Sequence, residues 1–318
     1  MEINAQILAQ AADTLRSWAL DEELKAKVLA NPQQADLASR IAQRYTAGET
    51  IENAIALLQA NTQRGHLGSI ECVGESVREA AVAEHETQEF IELARSIGES
   101  GQSATLSLDL SHVGLLVSPA LGLRNATAIA QAARDVGTSV MISAEGSART
   151  DHVLDVYERL AADFPETGIT VQARLHRTTQ DLARVMKNPG PIRVVKGAFL
   201  ESESVAHPRN SPAMTQAYLA MAGTLVRHGH RVNLATHDGE LVQALKADLG
   251  AELFGEHIEF EMLQGLGTEL LDSLQADGYA TREYIVYGPQ WWLYVLNRIA
   301  EHPNRVILAL ADLGSSSN

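Results

Sequence analysis

Residues 192–236 read IRVVKGAFLESESVAHPRNSPAMTQAYLAMAGTLVRHGHRVNLAT. Two short apolar runs, 192–196 and 232–236, flank a helix-length stretch at 213–228. Strand, helix and strand in that order make a unit whose strands run parallel, joined by a right-handed crossover. The same texture extends in both directions. Further apolar runs fall at 69–73, 105–110, 139–143, 169–173, 257–260 and 284–287, most of them separated by helical patterns such as 126–133. Eight such runs over roughly 250 residues predict a (β/α)8 TIM-type barrel rather than an open sheet. No GxGxxG follows any of them, which argues against a Rossmann dinucleotide fold.

Ahead of the runs the pattern is helical. Ile7, Leu8, Ala11 and Leu15 recur at helical spacing, as do Leu37, Ile41 and Tyr45, and Thr50 is placed to cap a helix beginning at Ile51. With no low-complexity linker between them, residues 1–63 are expected to form a helical arm packed on a barrel spanning 64–318. With 40 acidic and 25 basic side chains the formal net charge is −15, which repels phosphate backbones and argues against nucleic acid as a partner. Cys72 is the only cysteine, so neither an intrachain disulfide nor a cysteine-rich zinc site is possible; within its apolar run it reads as a buried, inert thiol. No signal-peptide pattern precedes the helices, and no apolar stretch approaches the ~20 residues needed to span a bilayer. A cytoplasmic location without membrane contact is the expectation.

In a parallel barrel, binding groups gather at the carboxyl ends of the strands. Nearly every run here ends in polar residues: Asp109 and Ser111, Ser143 and Glu145, Gln172 and Arg174, Arg193 and Lys196, Thr236-His237-Asp238, Glu259 and Glu261, Tyr284 and Tyr287. Arg193 and Lys196, followed by Gly197 and Ala198, let charge and backbone approach a ligand with phosphates or an electron-rich ring; the alternative is a surface ion pair with Glu201 or Glu203. His237 suits a base, a metal ligand or a ring-orienting donor, but the absence of HxH or HExxH argues against metal. Tyr294, Arg298 and Glu301 fall at i, i+4 and i+7 and share one helix face, which suits either a small polar ligand or packing with snorkelled ends.

Taken together, several strings resemble the proline dehydrogenase family, FAD-dependent barrel enzymes that oxidise proline to pyrroline-5-carboxylate. They are YTAGET at 45–50, Gly74-Glu75, Val171-Gln172-Ala173, Asp181-Leu182, Arg193-Val194-Val195-Lys196-Gly197-Ala198, Ala235-Thr236-His237-Asp238, Glu259-Phe260-Glu261-Met262-Leu263, Tyr284 through Gly288, Trp291, Tyr294 and Arg298-Ile299-Ala300-Glu301. The resemblance implies that Gln172, Arg193, Lys196, Gly197, Ala198, Thr236 and His237 hold FAD, with Arg193 beside the flavin N5. It also implies that Tyr284, Tyr294, Arg298 and Glu301 face the substrate, and that the flavin accepts a hydride from the carbon beside the amine nitrogen.

Departures from the family pattern fall in the substrate positions. Asp109 replaces a lysine, Ser143 an aspartate and Asn297 the first of two arginines, leaving Arg298 alone; Phe199 stands where the family usually has tyrosine. Across the first four of these positions the charge falls from about +2 in the family to about zero here. Charge-assisted hydrogen bonds are worth roughly 1.5–3 kcal/mol each, so a free amino-acid carboxylate is expected to bind at least tenfold more weakly. Arg174, where the family usually has tyrosine, is the residue placed to compensate. The sequence therefore leads to a flavin-dependent oxidoreductase with Arg193, Asp109 and Tyr284 as catalytic candidates, and Asp109, Ser143, Tyr284, Tyr294, Asn297, Arg298 and Glu301 as the substrate site. Its expected substrate is a proline-like cyclic amine or imino acid other than free L-proline, and its electron acceptor is left open. The alternatives are a true proline dehydrogenase with compensated charge, a silent flavin- or ligand-binding homologue, and a barrel lyase or aldolase using Lys196 as a Schiff base.

Overall fold

The computed structural model describes residues 5–74 and 76–301. Four helices come first: α1 (Ala5–Ala19), α2 (Glu22–Ala30), α3 (Pro32–Ala42) and α4 (Ile51–Gln63). Thr50 caps α4 as expected, in a reciprocal box with Asn53. Eight strands follow, β1 (Leu67–Cys72), β2 (Ala104–Leu108), β3 (Val140–Ile142), β4 (Gly168–Gln172), β5 (Ile192–Val195), β6 (Val232–Ala235), β7 (Ile258–Leu263) and β8 (Ala280–Tyr287). Each pairs in parallel with its neighbour in sequence, and β8 closes on β1, so the expected barrel is borne out. Each of the eight predicted runs overlaps one strand. The differences are at the edges: β8 begins earlier than expected and β7 runs further, because charged residues break the apolar texture, and β1 begins two residues earlier, at Leu67.

The crossover helices are α5 (Ala80–Glu99), α6 (Pro119–Asp135), α7 (Thr150–Asp163), α8 (Thr178–Val185), α9 (Pro212–Arg227), α10 (Gly239–Leu249) and α11 (Thr268–Ala276), and α12 (Trp291–Glu301) follows β8. Ser118 and Ser211 cap α6 and α9, each with proline in the first turn, where its missing N–H costs nothing. Asp238 caps α10 by accepting from Glu240 N and Leu241 N, at 3.0 and 3.2 Å. Outward-facing strand residues and the inner faces of the helices form one apolar core, to which α4 contributes Ala54 and Leu58. A second cluster joins Ala12 and Leu15 of α1, with Ala42 and Tyr45, to Trp291, Trp292, Val295, Ile299 and Ala300 of α12. Residues of α1 and of the end of α3 thus pack on α12, although Ile7 and Leu37 from the expected stripes remain exposed.

Inward-facing side chains recur every second residue along each strand and stack in layers. Here the layers are polar. At the lowest level Arg282 forks onto Glu259, at 2.6 and 3.2 Å, and also reaches Gly68 O and Thr105. Two residues further along the strands, Arg193 forks onto Glu261 with both contacts at 2.7 Å. Ser69, Ser107 and Thr170 surround the Arg193 guanidinium, and Asn233 and Ser69 complete the carboxylate's partners. One step higher come Glu71 and Asp109, which line the cavity at the mouth, with Ser143 and Gln172 buried at the ends of the next strands.

Candidate active site

Arg193 is the second residue of β5, so it points into the middle layer, one level beneath the rim. It is 3% exposed and Glu261 2%, and the fork between them leaves no charge over. Burial works against the Glu261 charge, but the Arg193 guanidinium more than offsets it and holds the carboxyl below its ordinary value. The guanidinium also lies 4.8 Å from the centre of the Tyr284 ring, a cation–π distance. Tyr284, from the middle of β8, donates its hydroxyl upward to the Glu71 carboxylate. Burial and the Glu71 charge together raise the Tyr284 pKa well above its usual value, so the phenol stays protonated.

Over this layer lies a cavity of about 180 Å³, lined by Glu71, Gly74, Asp109, Tyr294, Asn297 and Arg298 among others. That is below the ~300–1,000 Å³ of sites for drug-sized ligands, so it suits a small molecule. The expected face of α12 is present: Arg298 pairs with Glu301 at 2.9 Å and stacks 5.6 Å from the Tyr294 ring centre. Asn297 joins them at the cavity wall. Asp109 has its carboxyl pushed well up, first by burial and then by Glu71 and Glu145. Ser143 turns its hydroxyl towards Asp109 without reaching a hydrogen-bonding partner among the described residues.

The residues expected to hold a flavin lie on the neighbouring rim. Gln172 donates its amide to Glu145 O at 2.8 Å, and Thr236 accepts from Asp238 N at 3.2 Å. Lys196 does not pair with Glu201 or Glu203; it pairs with Asp238, the α10 cap, and holds that carboxyl low despite partial burial. Glu201 instead takes the Ser147 hydroxyl and N–H. His237 Nε2 accepts from Leu263 N at 3.1 Å, which ties β6 to β7 at the rim. Gly197 sits at φ +107°, and a Cβ there would come within 2.8 Å of Arg174 Cγ and 3.0 Å of Gln172 Oε1. Only glycine lets the chain pass so close. Ala198 offers its carbonyl to Arg209. Arg174 spends its guanidinium on Phe199 O and His207 O, at 2.7 and 3.2 Å, and does not line the cavity.

This chain's residues 54–298 match the family model described as proline dehydrogenase. The chain belongs to the proline dehydrogenase family. It is 32% identical to a proline dehydrogenase of Deinococcus radiodurans over 90% of this chain and 95% of that one, and 30% identical to proline dehydrogenase 1 of Bacillus subtilis over 86% and 90%. Among solved structures, proline utilization A from Bdellovibrio bacteriovorus superposes with a TM-score of 0.77 at 18% identity, covering 92% of this chain and 36% of that one, a likeness of fold. The expected class, a proline dehydrogenase-like oxidoreductase acting on a CH–NH bond, is borne out at the level of the family.

Two features of the site were not foreseen. Glu71 was absent from the expected site residues although it lines the cavity and takes the Tyr284 hydroxyl. Its signal was its place two residues after Ser69, mirrored by Asp109 two after Ser107. Glu261 reads in the sequence only as a strand-end residue, yet it carries the middle layer's negative charge. Glu75, part of the family resemblance, lies outside the described residues. Among the described residues no group of three or more His, Cys, Asp or Glu side chains could hold a metal ion, and no helix is long and apolar enough to cross a membrane.

Proposed function

We propose that this chain is a flavin-dependent oxidoreductase that takes a hydride from the carbon beside the ring nitrogen of a proline-like cyclic amine or imino acid other than free L-proline. The proposal places it in the cytoplasm, with 1–63 as an arm on the 64–318 barrel. The observation that carries the substrate assignment is the charge of the cavity wall. Arg298 is already neutralised by Glu301, Asn297 offers no charge, and Asp109 contributes a carboxyl. A substrate carboxylate finds no uncommitted cation there among the described residues.

The rim residues fit FAD. Lys196 supplies a cation, Gln172 and Thr236 polar side chains, and Gly197 a backbone with no side chain to block approach. Gln264 Oε1, just past β7, is buried with no hydrogen-bond partner among the described residues. Gln172, Lys196, Gly197, Ala198, Thr236 and His237 would hold the cofactor, with the Arg193 charge beneath them. Bound FAD supplies a two-electron acceptor for the hydride. Tyr284, kept protonated, buttresses Glu71 below the substrate, while Tyr294 covers the ring.

A second reading, free L-proline itself, has one observation in its favour. Arg298 Nε is buried without a hydrogen-bond partner among the described residues and can still meet a carboxylate. A visible spectrum of the purified protein, followed by anaerobic titration with cyclic amines, decides between them. A flavin bleached faster by another cyclic amine than by L-proline supports the proposal. Bleaching by L-proline that no analogue matches supports the second reading, and protein that takes up no added FAD sinks both.

A further inference from the structure

We propose that Glu71 and Asp109 work as one proton-holding carboxylate pair, which binds the ring nitrogen of a cationic cyclic amine and takes up its N–H proton. This rests on the function proposed above and names the charge of its substrate and a base for the reaction.

The two carboxylates extend from adjacent parallel strands, β1 and β2, and line the same small cavity. The elements around them present charged or titratable groups: Tyr284 from β8, Arg193 from β5, His112 from the loop after β2, Glu145 and Arg149 after β3, and Tyr294 and Arg298 from α12. Each of these arginines already has a carboxylate of its own, and the His112 ring is hydrogen-bonded to another. Arg193 has Glu261, Arg149 has Glu145 at 2.9 Å, Arg298 has Glu301, and His112 meets Glu86 at 2.8 Å. Glu71 and Asp109 are left over, and neither has an ion-pair partner among the described residues. Two neighbouring carboxylates without a cation do not both ionise readily, so the pair keeps one proton and a single negative charge. Burial, and for Asp109 the Glu71 charge, push both carboxyls up, as a base for an ammonium requires.

The balance of the step is simple. A ring ammonium cannot release a hydride from the adjacent carbon while its lone pair is tied up in an N–H bond. The pair takes that proton and becomes neutral. The freed lone pair then forms the C=N bond as the adjacent C–H bond breaks, and its hydrogen leaves with two electrons to the flavin. The product is again a cation, now beside a neutral pair that no longer holds it. A second cavity of about 420 Å³ shares Val73 and Gln290 with the first, and its lining includes Glu49, Glu52, Glu86 and Glu89 along with His85. Carboxylates so near the first cavity favour a cation over an anion there.

The test uses the full-length protein as purified with its flavin. Calorimetric binding is measured for pyrrolidine, L-prolinamide, L-proline and cyclopentanecarboxylate, and the pH dependence of kcat/KM is followed for the best amine. Pyrrolidine and L-prolinamide should bind at least tenfold more tightly than L-proline, with cyclopentanecarboxylate weakest. The rate should rise with pH through one ionisation above the usual carboxylate range. Glu71→Gln and Asp109→Asn should each erase that ionisation and lower kcat by roughly 10²–10⁴-fold, while Glu71→Asp restores the pH limb. Circular dichroism and flavin content identify variants that have merely unfolded. Cyclopentanecarboxylate binding as tightly as pyrrolidine, or Asp109→Asn keeping the parental profile, overturns the inference. Efficient oxidation of L-proline by that unchanged variant leaves the oxidoreductase standing and removes only the pair. Cation binding lost in Asp109→Asn, with no amine ever reducing the flavin, supports the pair as cation holder and overturns the oxidoreductase beneath it.

Discussion

Inside the barrel, the two lower layers and the layer at the mouth handle charge in opposite ways. Below, Arg282 is forked onto Glu259 and Arg193 onto Glu261, each pair tied further to hydroxyls, a carbonyl or an amide from other strands. Above, Glu71 and Asp109 share a cavity in which every nearby cation belongs to another carboxylate. A buried charge that is paired and hydrogen-bonded is part of the scaffold, and removing its partner is costly. A carboxyl left without an ion-pair partner is instead waiting for charge from outside the chain. The contrast separates what holds the barrel from what the barrel offers to a ligand.

The comparison breaks first, and hardest, in the lower layers. Arg193→Met leaves Glu261 buried and unpaired, and should cost about 3–5 kcal/mol in urea-induced unfolding. Replacing both partners by methionine should return much of that. A single variant as stable as the parent would show that the fork is not structural.

Acid and base should then tell the layers apart. Glu71 and Asp109 have folded pKa values above their unfolded ones. The folded state therefore holds protons that the unfolded state releases, and stability falls as pH rises through the raised values. Glu261 and Asp238 are held low, so they stabilise above the ordinary carboxylate range and lose that contribution as pH falls through their folded values. Thermal unfolding of Glu71→Gln/Asp109→Asn should match the parent near pH 4 and exceed it near pH 8. A variant that melts at or below the parental temperature at pH 8 removes the claim of strain at the mouth.

Asn297→Arg sharpens the comparison from the other side. An added guanidinium beside Arg298 should tighten L-proline binding about tenfold, in line with roughly 1.4 kcal/mol for a charge-assisted contact. Unchanged calorimetric affinity would mean that the helix face does not reach a substrate carboxylate. The smallest effect on stability is expected at Lys196→Met. Its pair with Asp238 is part-exposed, so the loss should stay within about 1 kcal/mol, while FAD retained through gel filtration falls.

The barrel was legible because its outer strand residues are apolar and its helices long, two periodicities that do not interfere. Strand ends were less legible where the barrel's own polar layers intrude: the ATREYIVY of β8 puts Arg282 and Glu283 at its start, and a hydrophobic run is recognised only from Tyr284 on. The α12 face could be read because positions 294, 298 and 301 share a side of any helix. Glu71 could not, since one carboxylate in Ser69-Ile70-Glu71-Cys72 looks like a solvated strand residue until closure of β8 on β1 brings Tyr284 against it. Pairings such as Lys196 with Asp238 or Arg193 with Glu261 join residues 42 and 68 positions apart, and which carboxylate a cation meets is a property of the closed barrel.

The helix after the last strand leads somewhere else. α12 presents Tyr294, Asn297 and Arg298 to the cavity, but its other side is anchored by Ala12 and Leu15 of α1 and by Tyr45, with the Trp292 indole donating to Trp18 O at 3.0 Å. Its attachment is to the amino-terminal helices, and none of its cavity residues takes part in the strand ladder. Selection can therefore alter those side chains one at a time and change what the enzyme accepts, while the ladder that makes the barrel goes on being inherited intact.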